Sequence, residues 1–243
     1  MSRVVGGTPP RILHQTWKSK IIPTRWALFH HSWRTHHPDW EHRILTDDDL
    51  RQLVRQHYSW FLPIYDAYSQ HIMRVDAARY FLLHRHGGLY VDLDFESLRS
   101  IDPLLSGCEV VLGCEPPAHV GLDAPRARGL DRIICNALMA STPGHPFWEH
   151  LFELLIAYHR SPDPLDATGP FLLTRAVASY AEQSRVTIVP WELLYPSAIP
   201  ESVFGQQLPS VGQMRERAFG IHHWAGSWWR HPLSDDNDAT GAR

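Results

Sequence analysis

Gly87-Gly88-Leu89-Tyr90-Val91-Asp92-Leu93-Asp94 is the stretch on which the reading of this chain turns. Two glycines interrupt the helical pattern before them, a short apolar run restarts as a strand, and two carboxylates follow at i and i+2. In an extended chain such residues leave on the same face, so Asp92 and Asp94 are expected to pair at the strand's carboxyl end. A pair of this kind suits a hard divalent cation that keeps open positions for phosphate oxygens. A solvated acidic turn is the plain alternative for D-x-D by itself. The preceding residues, 72–86, are helical in pattern and set Asp76 and Arg79 three apart on one face. Arg79 can clamp a phosphate while Asp76 accepts hydrogen bonds from sugar hydroxyls; the alternative is a surface ion pair worth roughly a few tenths of a kcal/mol.

Working outward, residues 11–15 read as a first strand and 26–35 as a helix stopped by Pro38. Residues 41–45 alternate as a strand, and Thr46 with three aspartates opens another helix. Downstream, 109–114, 135–140 and 186–189 read as strands, and 147–158 and 171–181 as helices. Alternation of this kind predicts an α/β fold, a single mostly parallel Rossmann-like sheet with helices on both faces, binding ligands beyond the strand carboxyl ends. Residues 116–130 and 161–170 read as loops over that site. One domain is expected over 1–233, with a polar, disordered tail at 234–243.

Composition removes whole classes of function. Of 243 residues, 44% are hydrophobic and 20% charged, so the chain can bury a large core. With 23 basic against 26 acidic residues the net charge is −3, which argues against a nucleic-acid partner. No apolar run approaches a bilayer span and no secretory leader is expected. Three cysteines, Cys108, Cys114 and Cys135, lack metal spacing and suit a reducing compartment. The expected location is therefore cytoplasmic, with peripheral association at the inner face of the cell membrane compatible.

Longer blocks carry a family resemblance. Residues 10–18 (PRILHQTWK), 38–40 (PDW), 74–80 (RVDAARY) and 87–94 (GGLYVDLD) resemble the sugar-transferring domain of glycosyltransferase family thirty-two, and the spacing of Asp76, Arg79, Tyr90, Asp92 and Asp94 is also similar to the glucosylating domains of large clostridial toxins. Residues 136–147 (NALMASTPGHPF), 166–174 (DATGPFLLT) and 222–228 (HHWAGSW) resemble the later motifs, in order. The resemblance implies the GT-A fold, Mn²⁺ (Mg²⁺ as the alternative), retention of anomeric configuration, a nucleoside diphosphate sugar donor carrying UDP or GDP, and a glycan or lipid-linked acceptor. A bacterial capsular, exopolysaccharide or lipopolysaccharide role is the expectation drawn from it.

By the same resemblance, Asp94 ligates the metal and Asp92 shares the metal and the nucleotide ribose. Trp17 stacks on the base, and Gln15, Tyr90, Asn136, Asp166, Thr168, Gly169 and Ser227 join Asp76 and Arg79 around the donor. His223 is the preferred third metal ligand and His222 the alternate, since alternation lets only one face the cation. Residues 166–170 also suit an anion, because the amides opening a helix at Phe171 favour negative charge. Two rival classes remain open: a metal-dependent phosphohydrolase, in which Asp92 would attack phosphate, and a sugar-binding module built on the ten tryptophans.

Overall fold

The structure is a computed structural model that describes residues 7–197 and 215–226. The expected tail at 234–243 and Ser227 lie outside the described residues. In chain order the elements are β1 (Ile12–Thr16), α1 (Thr24–His36), β2 (Glu41–Leu45), α2 (Asp47–His57), α3 (Leu62–Ala67), α4 (His71–His86), β3 (Gly88–Val91), β4 (Phe95–Ser97) and α5 (Asp102–Leu105). There follow β5 (Val110–Cys114), α6 (Pro117–Val120), α7 (Asp123–Ala127), β6 (Ile134–Ser141), α8 (Pro146–Tyr158), α9 (Pro164–Ala167), α10 (Pro170–Ser179), β7 (Val186–Val189), α11 (Trp191–Leu194) and β8 (Gly220–His222).

Six strands form one sheet in the order β2-β1-β3-β6-β5-β7, and only β6 runs antiparallel to its neighbours. This is the expected α/β arrangement, with a mostly parallel Rossmann-like sheet. One feature differs: β4 and β8 make a second, two-stranded antiparallel sheet through Phe95↔His222, Glu96↔Ile221 and Ser97↔Gly220. The segments at 116–130 and 161–170, expected as loops, carry α6, α7 and α9. Each is only four or five residues long, too short to show helical periodicity in sequence.

Strand alternation sorts the core into two layers. Tyr90, Val110, Leu112 and Met139 pack with Phe81, Leu82, Trp148 and Leu172 from α4, α8 and α10, all fully buried. Leu13, Leu89, Val91, Val111 and Leu138 face the other way, onto Trp33 of α1, Ile101, Leu194 and Phe95. Successive side chains thus fall on opposite faces, which covers the sheet on both sides. Thr46 caps α2 as expected: its hydroxyl accepts from the Asp49 amide, and the Asp49 carboxylate accepts from the Thr46 amide.

The helix that delivers the chain to D-x-D ends where a side chain cannot fit. Gly88 has φ of 92°, and a Cβ there would lie 2.5 Å from the Ile12 carbonyl oxygen. Glycine lets β3 lie tightly beside β1. His14 of β1 packs into the same turn and donates from Nε2 to the Gly87 carbonyl, 2.9 Å away. Burial lowers its pKa to about 4. A histidine held neutral in the folded state favours folding fully above its unfolded pKa, and that contribution is lost as pH falls from about 6.5 to about 4. The expected loss is about 3 kcal/mol across the window. Unfolding free energies measured from pH 7 down to 4 should fall more steeply in the wild type than in His14→Gln; equal slopes would overturn the assignment.

Candidate functional site

β3 runs out at Val91, and the next residues turn instead of continuing extended. The Phe95 amide donates to the Asp92 carbonyl at 3.1 Å, closing a tight turn over Asp92–Leu93–Asp94–Phe95. The two carboxylates therefore converge through a turn, which corrects the expectation that strand alternation would align them. Asp92 is anchored from below, where its amide donates to the Ala137 carbonyl of β6 at 2.9 Å.

Five expected residues gather around Asp92. Arg79 reaches Asp92 and Asp76, each at 3.1 Å, and lies 4.7 Å over the Tyr90 ring. It also donates to the backbone carbonyl of Asn136 at 3.3 Å. The Tyr90 hydroxyl donates to the Asp92 carboxylate at 2.7 Å and accepts from Thr16 at 3.0 Å. Gln15 donates to the Asp92 carbonyl at 3.5 Å, and its own carbonyl oxygen accepts from His30 at 2.6 Å. The Asp76–Arg79 pair is buried, not the surface pair of the plain reading, and such a pair matters through the cost of breaking it.

Electrostatics follow from that crowding. Burial first, opposed by Arg79 and helped by Asp92, raises the Asp76 pKa to about 7. Burial also raises Asp92 despite Arg79. Asp94 behaves oppositely: burial pushes it up, but the facing His222 imidazole and the Ala225 amide bring it down to about 2. His222 Nε2 sits 3.2 Å from Asp94, and the Ala225 amide donates to the other Asp94 oxygen at 3.0 Å.

The imidazole beside Asp94 is thus His222, which corrects the preference for His223. The register pairs His222 with Phe95, so its ring stacks on Phe95 at 5.6 Å and turns inward. His223 points the other way, bonded to Glu96 at 3.1 Å and stacked on Phe29 at 4.2 Å. Asp92, Asp94 and His222 present ligand atoms within 4.8 Å of one another. Three carboxylates, Asp76, Asp92 and Asp94, share this buried corner with one guanidinium and one imidazole, and the donor set of two carboxylates and an imidazole fits a Mn²⁺-like cation. His222→Ala is expected to weaken Mn²⁺ binding by at least about tenfold, the loss already typical of an outer-shell partner, with His223→Ala near wild type. Calorimetric titration of Mn²⁺ checks this; a reversed order would restore His223.

Other expected residues stand apart. Asp166 is held by Arg128 and Arg175, the latter at 3.0 Å, so its charge is already offset, and no anion-binding role follows from its geometry. Thr168 is buried, and its carbonyl accepts from the Tyr80 hydroxyl at 2.7 Å, tying residues 166–170 to α4. Gly169 leaves no space for a Cβ, which would meet the Leu165 Cα at 2.9 Å. Trp17 is half-buried, with the Arg25 guanidinium 6.0 Å from its ring centroid. Sequence reasoning missed His119, which is buried, bonded to Glu115 at 2.7 Å and edge-on to Trp224 at 4.6 Å. Trp224 lies 4.2 Å from His222, so α6 forms the wall behind the imidazole. No motif could have revealed it, since Glu115 and His119 fall where the sequence shows no periodicity.

Comparison with known proteins agrees with this geometry. Residues 23–111 match the family described as "Glycosyltransferase sugar-binding region containing DXD motif". The chain is 34% identical to inositol phosphoceramide mannosyltransferase 1 of Schizosaccharomyces pombe over 80% of this chain and 59% of that protein. It is 31% identical to the mannosyl phosphorylinositol ceramide synthase CSH1 of Saccharomyces cerevisiae, over 72% and 44%. Against the initiation-specific alpha-1,6-mannosyltransferase of Candida albicans it is 25% identical, over 90% and 72%. A solved galactosyltransferase, LgtC, is similar at 10% identity and a TM-score of 0.47, over 89% of this chain and 88% of that one. The chain spans little more than half the length of the first of these relatives. These three relatives are fungal mannosyltransferases and not the bacterial polysaccharide enzymes expected from the sequence. The stretch that holds the DXD block matches the DXD-containing sugar-binding region of glycosyltransferases, and the chain resembles glycosyltransferase family thirty-two.

Proposed function

We propose that the chain is a cation-dependent retaining mannosyltransferase that moves a hexose from a nucleoside diphosphate sugar to a lipid-linked acceptor of the inositol phosphoceramide type. The observation that carries this reading is the convergence of Asp92, Asp94 and His222 beside the buried Asp76–Arg79 pair. The relatives' names supply mannose and the acceptor class.

In this reading Asp92, Asp94 and His222 hold Mn²⁺ or Mg²⁺. A cation there would neutralise the charge that develops on the departing diphosphate. Arg79 fixes the Asp92 carboxylate from one side, and the Tyr90 hydroxyl fixes it from the other. Asp76, held by Arg79, accepts hydrogen bonds from donor-sugar hydroxyls, and the half-buried Trp17 offers a ring face to the base. Among these residues each carboxylate is already held by a cation or an imidazole, which leaves no free nucleophile. With retention taken from the family resemblance, the course is a front-face displacement in which the leaving diphosphate takes the acceptor proton.

Thermal melting with Mn²⁺ and either GDP or UDP tests the donor site, because a ligand specific to the folded state must raise the midpoint. One nucleotide is expected to raise it only when Mn²⁺ is present. A well-folded sample with no shift for either nucleotide would overturn the reading.

A further inference from the structure

The first 38 residues carry six of the chain's 23 lysines and arginines, both lysines among them, and none of its 26 acidic residues. A chain of net charge −3 thus opens on a cationic stretch, within which Arg11 pairs with Asp102 and Lys20 with Asp49. The same strip holds the two most exposed large apolar side chains among the described residues, Ile21 at 79% and Leu28 at 78%. Leu28 shares the outward side of α1 with His31 and Arg34, at helical spacing. Arg25 and Arg34 have no carboxylate partner among the described residues. Half-buried Trp26 lies beside Arg25, whose guanidinium is 5.2 Å from its ring centroid.

A single exposed apolar side chain is ordinary, but two of them more than three-quarters exposed in one cationic stretch beside a tryptophan have the composition that suits a lipid interface. Apolar tips enter the acyl boundary, a tryptophan sits at headgroup depth, and arginines and lysines are drawn to an anionic surface. Among the described residues no helix is long and apolar enough to cross a membrane, so the strip would lie on a surface. Its position is pertinent. Trp17 directly follows β1, whose Gln15 and Thr16 touch the Asp92 corner, and Phe29 of α1 stacks on His223 beside β4. The strip therefore borders the candidate site.

We propose that residues 18–34 form a docking face for an anionic lipid surface, which brings membrane-borne acceptor headgroups to the mouth of the Asp92–Asp94–His222 corner. The purpose given to the face rests on the proposed lipid acceptor; binding itself does not. Flotation of the full chain with vesicles tests it, without donor or turnover. Binding is expected to vesicles of phosphatidylcholine with phosphatidylinositol, weakened by salt, and at least about tenfold weaker to phosphatidylcholine alone. Ile21→Glu with Leu28→Glu should lower anionic-vesicle binding at least about tenfold, with melting temperature and the Mn²⁺-nucleotide shift unchanged. Ile156→Glu, at a side chain 44% exposed on α8, should bind as wild type. Equal binding to neutral and anionic vesicles, binding to neither, or a double variant that binds as wild type would each overturn the docking face. An unchanged nucleotide shift alongside any of these would leave the transferase reading standing.

Discussion

Asp94→Asn is expected to lower sugar transfer by about a thousandfold while leaving the fold in place. Asparagine keeps an oxygen for the Ala225 amide, which now bonds Asp94 at 3.0 Å, so the turn that carries the residue retains its tie to the segment after β8. What is lost is the charge. Of the three carboxylates in the corner, Asp94 alone has its pKa lowered, to about 2, and so is ionised throughout the working range. Its substitution also leaves His222 without the partner that raises its pKa. The measurement is single-turnover transfer in saturating Mn²⁺, beside melting in its presence and absence. Full turnover in Asp94→Asn would remove the cation from the mechanism.

Arg79→Met is the second large effect, and it should appear in stability first. The guanidinium touches Asp76 and Asp92 at 3.1 Å each with its side chain 7% exposed, so its removal strands two carboxylates in a low-dielectric corner. Breaking a buried pair in this way costs about 3–5 kcal/mol. Adding Asp76→Asn should return much of that loss, because one stranded charge disappears. Transfer should stay depressed in the double variant, since Asp92 still lacks the cation that orients it. Chemical denaturation and transfer rates measured together separate the two roles; recovery of both stability and transfer would reduce Arg79 to a structural residue.

The sequence made the main chemistry legible because the relevant residues are local. Asp76 and Arg79 lie one helical turn apart, and Asp92 and Asp94 follow the same strand, so spacing alone put them together. Spacing could not say that Asp92 and Asp94 meet through a turn, since D-L-D-F fits a strand and a turn equally well. It also misjudged the histidine. Which of two adjacent residues faces inward depends on parity, and parity in β8 is set by its pairing with Phe95, a partner more than a hundred residues earlier. β4 and β8 are three residues each, below the length at which alternation is visible. The helices α6, α7 and α9, each opened near a proline, were read as loops for the same reason. Asp166 shows the converse: its motif was found, but the arginines that occupy it come from Arg128 and Arg175, which no local pattern links to it.

The pairing of β4 with β8 has a kinetic consequence. Asp94 and His222 are 128 positions apart, and the ladder that pairs the distal strand is only three residue pairs long. Closing so long a loop for so short a ladder makes this a late event in folding and an early one in local opening, while the six-stranded sheet stays intact. The amides of Gly220–His222 should therefore exchange with deuterium faster than those of β1 and β3. A cation held by Asp94 and His222 would slow that exchange selectively, making the candidate site the clasp that holds β8 against β4.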